Sequence, residues 1–209
     1  MNRKTKNVLI ELSGDTLKGT GECIVKGYSK DYFLMGIDGK KENDRFQMLK
    51  NYLQLGNNKF TLKDYKEYNL DNLDSPLRIT FNFYINNYFS KLKDEIFLNP
   101  FLEEYGLSDD LNDQRMAGFK AEYKSIDDVN ITLKIPEGYQ LKHVPKNENI
   151  EYPESYFNSI FIQKEDRLHL KYKFVNDFIF MPKENYRPLK TFLNKIIEFL
   201  SETISLKKI

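Results

Sequence analysis

The chain has 209 residues, enough for one large domain or two small ones, and its 40% hydrophobic and 30% charged content is that of a globular protein rather than a disordered one. Its 32 basic and 31 acidic residues leave a net charge of +1, so no global field argues for nucleic acid or anionic lipid as a partner. The single cysteine, Cys23, excludes an intramolecular disulfide, and no apolar run approaches the roughly 18 residues of a membrane span.

The start is basic, but Val8-Leu9-Ile10 is followed at once by Glu11, too short an apolar run for a signal peptide. An initiator methionine running straight into a strand is the beginning expected of a trimmed piece of a longer protein. Val8, Ile10 and Leu12 alternate with polar positions and predict a strand. Ser13-Gly14-Asp15 is turn chemistry, and a second strand from Leu17 to about Tyr28 completes a hairpin. Gly19 and Gly21 within it point to a bulge or a close backbone approach. Phe46, Leu49 and Leu53 share one helical face, so a short helix is expected near residues 44–55, ended by Gly56-Asn57-Asn58.

Phe60 to Tyr68 reads as another strand, and the turn-rich stretch 69–76 is the best internal boundary. Residues 1–76 are expected to form a hairpin, helix and strand belonging to the same compact unit as residues 77–209. Leu77, Ile79, Phe81, Phe83 and Ile85 alternate with polar or amphipathic residues, the clearest half-buried strand in the chain. Ile96 to Leu98 is a short apolar stretch, and Glu103 to Gln114 reads as an irregular acidic loop. Further strands are expected at 119–124, 130–135, 139–144, 160–163 and 168–175, the last two joined by a hairpin turn at Lys164 to Arg167. Leu189, Phe192, Leu193, Ile196, Ile197 and Leu200 form a wide apolar stripe on a C-terminal helix, expected over 186–203 with Pro188 in its first turn. A closing strand at 204–206 follows. The pattern predicts a mainly β or α+β domain, an antiparallel, sandwich-like arrangement with the C-terminal helix packed on a sheet.

Chemistry is sparse. A thiol nucleophile needs a base beside it, yet Cys23 lies within a predicted strand and the only histidines, His143 and His169, are placed on polar positions. Ser108 to Asp113 is acidic enough to suggest calcium, but an EF-hand count from Asp109 or Asp110 lacks both the required Gly and Glu. The carboxylate pairs Glu103-Glu104, Asp109-Asp110 and Asp127-Asp128 are too numerous to select a hydrolytic pair. No cofactor motif and no metal-ligand spacing is present. Asn130-Ile131-Thr132 matches the glycosylation pattern within a predicted strand. Lys171-Tyr172-Lys173-Phe174 alternates rings and lysines between two faces, as a core face and a solvated face require, rather than as a nucleic-acid platform. Tyr84 falls on the polar face of its strand, and Tyr88 and Phe89 extend past its end. Together they are the candidate sugar- or peptide-binding aromatics, with packing beneath a helix or second sheet as the other reading.

Leu77 to Phe83, Ile96-Phe97-Leu98-Asn99-Pro100-Phe101, Ile135-Pro136-Glu137-Gly138-Tyr139, and Phe178 to Pro182 with Tyr186, Leu189, Phe192 and Lys195 carry a resemblance. They resemble the C-terminal domain of unknown function in transglutaminase-like proteins common in Bacteroidetes. Those proteins place an N-terminal β-rich domain and a papain-like transglutaminase core before it. The resemblance covers about residues 77–209; residues 7–75 are similar, with weaker motifs, to the region between core and closing domain. It implies no catalytic residue here, because the family's Cys-His-Asp triad belongs to the core and Cys23 does not occupy its nucleophile motif. It implies the parent's core as partner and an extracytoplasmic setting. The expected function is a non-catalytic accessory module positioning that core or binding a cell-envelope partner, without membrane insertion. An independent carbohydrate- or peptide-binding sandwich is the alternative, and a small hydrolase using Cys23 or a carboxylate pair the third.

Overall fold

The computed structural model describes residues 2–102 and 117–209. The acidic loop at 103–114, with its calcium reading and two of the carboxylate pairs, lies outside the described residues. The first half runs β1 (Asn2–Ser13), β2 (Thr16–Lys26), α1 (Tyr28–Ile37), α2 (Glu42–Leu53), β3 (Phe60–Tyr68) and β4 (Leu77–Asn86). The second runs β5 (Ser90–Leu92), β6 (Glu95–Leu98), β7 (Phe119–Lys120), β8 (Ser125–Lys134), β9 (Tyr139–His143), β10 (Glu148–Tyr152), β11 (Ser155–Lys164), β12 (Arg167–Asn176), β13 (Phe180–Met181), α3 (Tyr186–Leu200) and β14 (Ile204–Lys208).

Eight strands form one sheet in the order β10-β11-β12-β8-β1-β2-β4-β3, β5-β6-β14-β9 form a smaller one, and β13 pairs with β7. The mainly β expectation holds, with one departure from antiparallel pairing among the described residues. β1 and β8 run parallel through ten registered pairs, from Asn2 opposite Ser125 to Glu11 opposite Lys134. Parallel neighbours need a long crossover rather than a tight turn, and residues 14–124 supply it. The expected helix near 44–55 is α2, displaced by two residues. α3 ends at Leu200 rather than 203, where the Ser201 hydroxyl donates to the Glu198 carbonyl at 2.6 Å and Asn99 Nδ2 donates to the Leu200 carbonyl at 2.7 Å. α1 departs from the expectation of strand up to Tyr28. Its apolar residues surround the helix, with Phe33 and Ile37 buried and Tyr28, Tyr32 and Met35 exposed, so no single stripe announces it.

One face of the large sheet is covered and the other is open. Val8 and Ile10 of β1, Ile131 and Leu133 of β8, Leu168 and Leu170 of β12, and Ile79, Phe81, Phe83 and Ile85 of β4 fill the covered face. Gly19 and Gly21 produce no bulge, because the β1–β2 register is unbroken. They resolve as close approach: a Cβ on either would run into the ring of Phe83 or Phe81 on the neighbouring strand. Two absent side chains thus make room for two phenylalanines, and Phe83 stacks on Phe60 with centroids 5.3 Å apart.

At the other end α3 closes the core. Phe199 meets Phe101 at 5.1 Å and Phe157 at 5.6 Å, and Phe192 meets Tyr152 at 5.5 Å. Such offset and edge contacts add to the area term of burial. The connector 69–76 joins the adjacent strands β3 and β4 and is tied to α1. Lys30, only 3% exposed, donates from Nζ to the carbonyls of Asn69, Asn72 and Ser75 at 2.9, 2.6 and 2.8 Å. Three carbonyls meet the three donors of an ammonium, which makes its burial tolerable.

Gly21→Ala should destabilise the domain by about 1–3 kcal/mol through overpacking, and Phe81→Leu in the same chain should recover part of the loss, read by urea denaturation. Lys30→Met should lose about 2–4 kcal/mol, because three carbonyls lose a charged donor. Limited proteolysis should then cut first within 69–76.

Candidate functional site

The sequence candidates are dispersed. Cys23 is 0% exposed on the covered face, between Lys6 of β1 and Ile79 of β4. His169 lies on the open face of β12, with β8 and β1 between it and β2, so three strand spacings of roughly 14 Å separate the two strands. Its Nδ1 lies 3.1 Å from Thr132 Oγ1. His143 ends β9 in the small sheet, opposite Ser205. The fold therefore does not bring the thiol to either imidazole. Asp127 and Asp128 point to opposite faces of β8, Asp128 pairing with Arg3 at 3.3 Å. Among the described residues no group of three or more His, Cys, Asp or Glu is arranged to hold a metal ion, and no helix is long and apolar enough to cross a membrane.

The aromatic trio divides as well. Tyr84 is half-buried on the open face, between Lys18 of β2 and Thr61 of β3. Tyr88 and Phe89 pack against the core, the Tyr88 ring lying over Gly56. Lys91 Nζ sits 5.5 Å from the Phe89 centroid.

Two concave regions are built instead from residues that local periodicity does not single out. The first is a groove of about 680 Å³ across the open face. Its floor is a polar ladder perpendicular to the strands. Asn130 donates to Asn7 at 3.0 Å, Asn7 donates to Glu22 at 3.0 Å, and Arg78 donates to the other Glu22 oxygen while lying over the Tyr68 ring at 4.8 Å. The ladder consumes its own donors and acceptors, so it rigidifies the sheet. The hydrogen bonds from Arg78 and then Asn7 hold the Glu22 carboxyl below the usual carboxylate range.

The second is a cleft of about 350 Å³ between the helices and the sheet, at the N-terminal ends of β1 and β8. α1 contributes Ser29 and Tyr32, α2 contributes Tyr52, and the segment before β8 contributes Tyr123. Lys4 and Asp127, directly opposite each other on the parallel strands, form its floor. Lys4 Nζ lies 4.3 Å from the Tyr52 centroid, and Tyr32 and Tyr123 face each other at 6.0 Å with their planes tilted by 35°. Ser29 Oγ donates to the Tyr123 hydroxyl at 3.4 Å. Burial pushes the Tyr52 phenol up, so it remains a protonated hydrogen-bonding group throughout the physiological range. Asn2 fixes the cleft's back wall: its Oδ1 accepts from the Tyr28 N–H at 2.6 Å and its Nδ2 donates to the Lys124 carbonyl at 3.0 Å. It thereby caps α1 from a distant strand, because Gly27 has no side chain to do so. The tyrosines come from three separate segments, and only the crossover that pairs β1 with β8 brings them together.

A mainly β domain with one helix-covered face and a small aromatic cleft is the class that this geometry defines. Residues 87–206 match the family model of a domain of unknown function with a solved structure (DUF3858), and since the match spans more than half of the chain, the chain belongs to that family. No curated protein matches it. The matched segment holds β5 to β13, α3 and the first three residues of β14, and the β1–β8 ladder joins it to residues 2–86.

Because Glu22 titrates lower folded than unfolded, its contribution to stability is complete above the unfolded carboxylate value and is lost as pH falls through the depressed one. Glu22→Gln should therefore be less stable than the parent at neutral pH, with the difference shrinking on acidification. Thermal melts between neutral and acid pH check this.

Proposed function

We propose that this chain is a non-catalytic accessory module of a transglutaminase-like protein, docking that protein's core, or a partner at the cell envelope, through the outer face of α1. The observation that carries the reading is a stripe of large apolar groups left in solvent. Tyr28, Tyr32 and Met35, at i, i+4 and i+7, are 64%, 50% and 73% exposed. Three such residues on one helical face are the kind of surface that a partner covers. The resemblance of residues 77–209 to the closing domain of transglutaminase-like proteins supports the choice of partner and an extracytoplasmic setting. The separation of Cys23 from both histidines supports a role without thiol chemistry. A second reading, an independent carbohydrate- or peptide-binding domain, is favoured by the tyrosine-lined cleft.

The test is a binding titration of the chain against a separately expressed transglutaminase-like core from the same parent. Saturable binding is expected, weakened about tenfold or more in a Tyr28→Ala/Met35→Ala double variant that melts at the parental temperature. Absence of binding, or binding indifferent to those substitutions, would remove the docking role.

A further inference from the structure

The open face of the large sheet is charged unevenly. On β8, β11 and β12 it carries Lys134, Lys164, Arg167, Lys171 and Lys173 against one carboxylate, Asp128, and Asp128 is paired with Arg3 of β1 at 3.3 Å. At the margin Glu11 stands across from Lys134, and the turn between β11 and β12 adds Glu165 and Asp166, the latter 3.8 Å from Arg167. Among the described residues no carboxylate stands at ion-pair distance from Lys164, Lys171 or Lys173. The whole chain has a net charge of +1, so this half-face is a local concentration of positive charge rather than a share of a basic protein.

Aliphatic groups are set among these charges. Ile160 and Ile162 of β11 and Leu9 of β1 are 39%, 40% and 42% exposed on the same face. Ile160 is registered with Lys171 and Ile162 with His169, so the aliphatic row of β11 runs beside the cationic row of β12 at one strand spacing of roughly 4.8 Å. The helices pack on the other side of the sheet, α3 through Phe157 and Phe174 and α1 and α2 above Lys4 and Asp127.

The lysines select an acidic occupant, and the isoleucines select among acidic ones. A sugar-phosphate chain, an acidic glycan or a layer of lipid headgroups would neutralise the lysines but leave the aliphatic row in water. The rings on this face that could stack bases already have cations over them: Lys173 Nζ lies 5.7 Å from the Tyr156 centroid and the Arg78 guanidinium 4.8 Å from that of Tyr68. A protein segment that presents carboxylates beside aliphatic side chains matches both rows at once.

We propose that the open face of β8, β11 and β12 docks an acidic protein segment, whose carboxylates meet Lys164, Lys171 and Lys173 and whose aliphatic side chains cover Ile160 and Ile162. This surface lies on the opposite side of the sheet from α1, so the inference does not depend on docking through Tyr28 and Met35.

The experiment is a titration of the whole chain, followed by amide chemical shifts, with amphipathic peptides of one length and pattern built from glutamate and leucine, glutamine and leucine, or lysine and leucine. Heparin, a single-stranded oligothymidylate and phosphatidylglycerol vesicles are titrated in parallel. The glutamate–leucine peptide is expected to bind at least about tenfold tighter than the other two, to shift the amides of Asn130, Ile160, Ile162 and Lys171, and to weaken as salt is added. Lys164→Glu/Lys171→Glu and, separately, Ile160→Thr/Ile162→Thr should each weaken it about tenfold, while Tyr28→Ala/Met35→Ala should leave it unchanged. Threonine keeps a β-branched side chain in the strand, and unchanged melting temperatures separate lost binding from lost folding. Equal binding of the glutamate and glutamine peptides, no binding of the glutamate peptide, or shifts confined to another surface would overturn the proposal. So would tighter binding of heparin, the oligonucleotide or the vesicles that ignores the isoleucine substitutions. Loss of this binding with core binding intact removes the sheet-face site alone, and the reverse result removes the α1 role alone.

Discussion

The parallel ladder between β1 and β8 is the contact on which the rest of the molecule depends. Without it β8 would be an edge, a row of unpaired backbone groups between the chain's two halves. With it the first hairpin, β1 and β2, sits in the interior of an eight-stranded sheet. The family segment that begins at residue 87 contributes four of those strands and residues 2–86 the other four. The register also matches side chain to side chain: Val8 faces Ile131 and Ile10 faces Leu133, so a slip by one residue would turn the whole apolar row of β1 towards solvent.

A sheet apolar on one face needs a cover, and different physics supplies it at the two ends. Beneath α3 the cover is aromatic, with Phe101, Phe157, Tyr172 and Phe199 in mutual contact. Between β2 and β4 it depends on small residues, since Gly19 and Gly21 let Phe83 and Phe81 lie against bare backbone. Several stretches that carry the family resemblance have architectural roles here. Asn99 caps α3 and accepts from the Phe101 N–H at 2.8 Å, while Gly138 adopts a positive φ of 77° in the turn leading to β9.

Polar groups are concentrated where the two halves meet. Asn2, Lys4, Asn7, Asp127 and Asn130 all lie on the seam strands, some facing the helices and some the open groove. On the open side the ladder from Asn130 to Arg78 spends its hydrogen-bonding capacity on itself. On the helix side Asn2 is spent on the start of α1, and Lys4, Asp127 and the tyrosines shape a cavity.

Elements with strong periodicity are legible in the chain itself. β4, β12 and the apolar stripe of α3 are legible because half-burial writes a period of two or of 3.6 directly into side-chain type. Phe199, three positions after Ile196 and seven after Phe192, lies on the same face, and the fold gives it the partners Phe101 and Phe157. α1 was illegible because its buried positions include Lys30 and its exposed ones include Tyr28, Tyr32 and Met35, the reverse of an amphipathic pattern. Of the cleft, nothing was legible as a site. Lys4 and Asp127 are 123 positions apart, and Tyr32, Tyr52 and Tyr123 carry no shared spacing. Tertiary structure alone decided their meeting, because the parallel ladder is a long-range pairing, and such pairings are selected by whole-sheet burial rather than by any local signal.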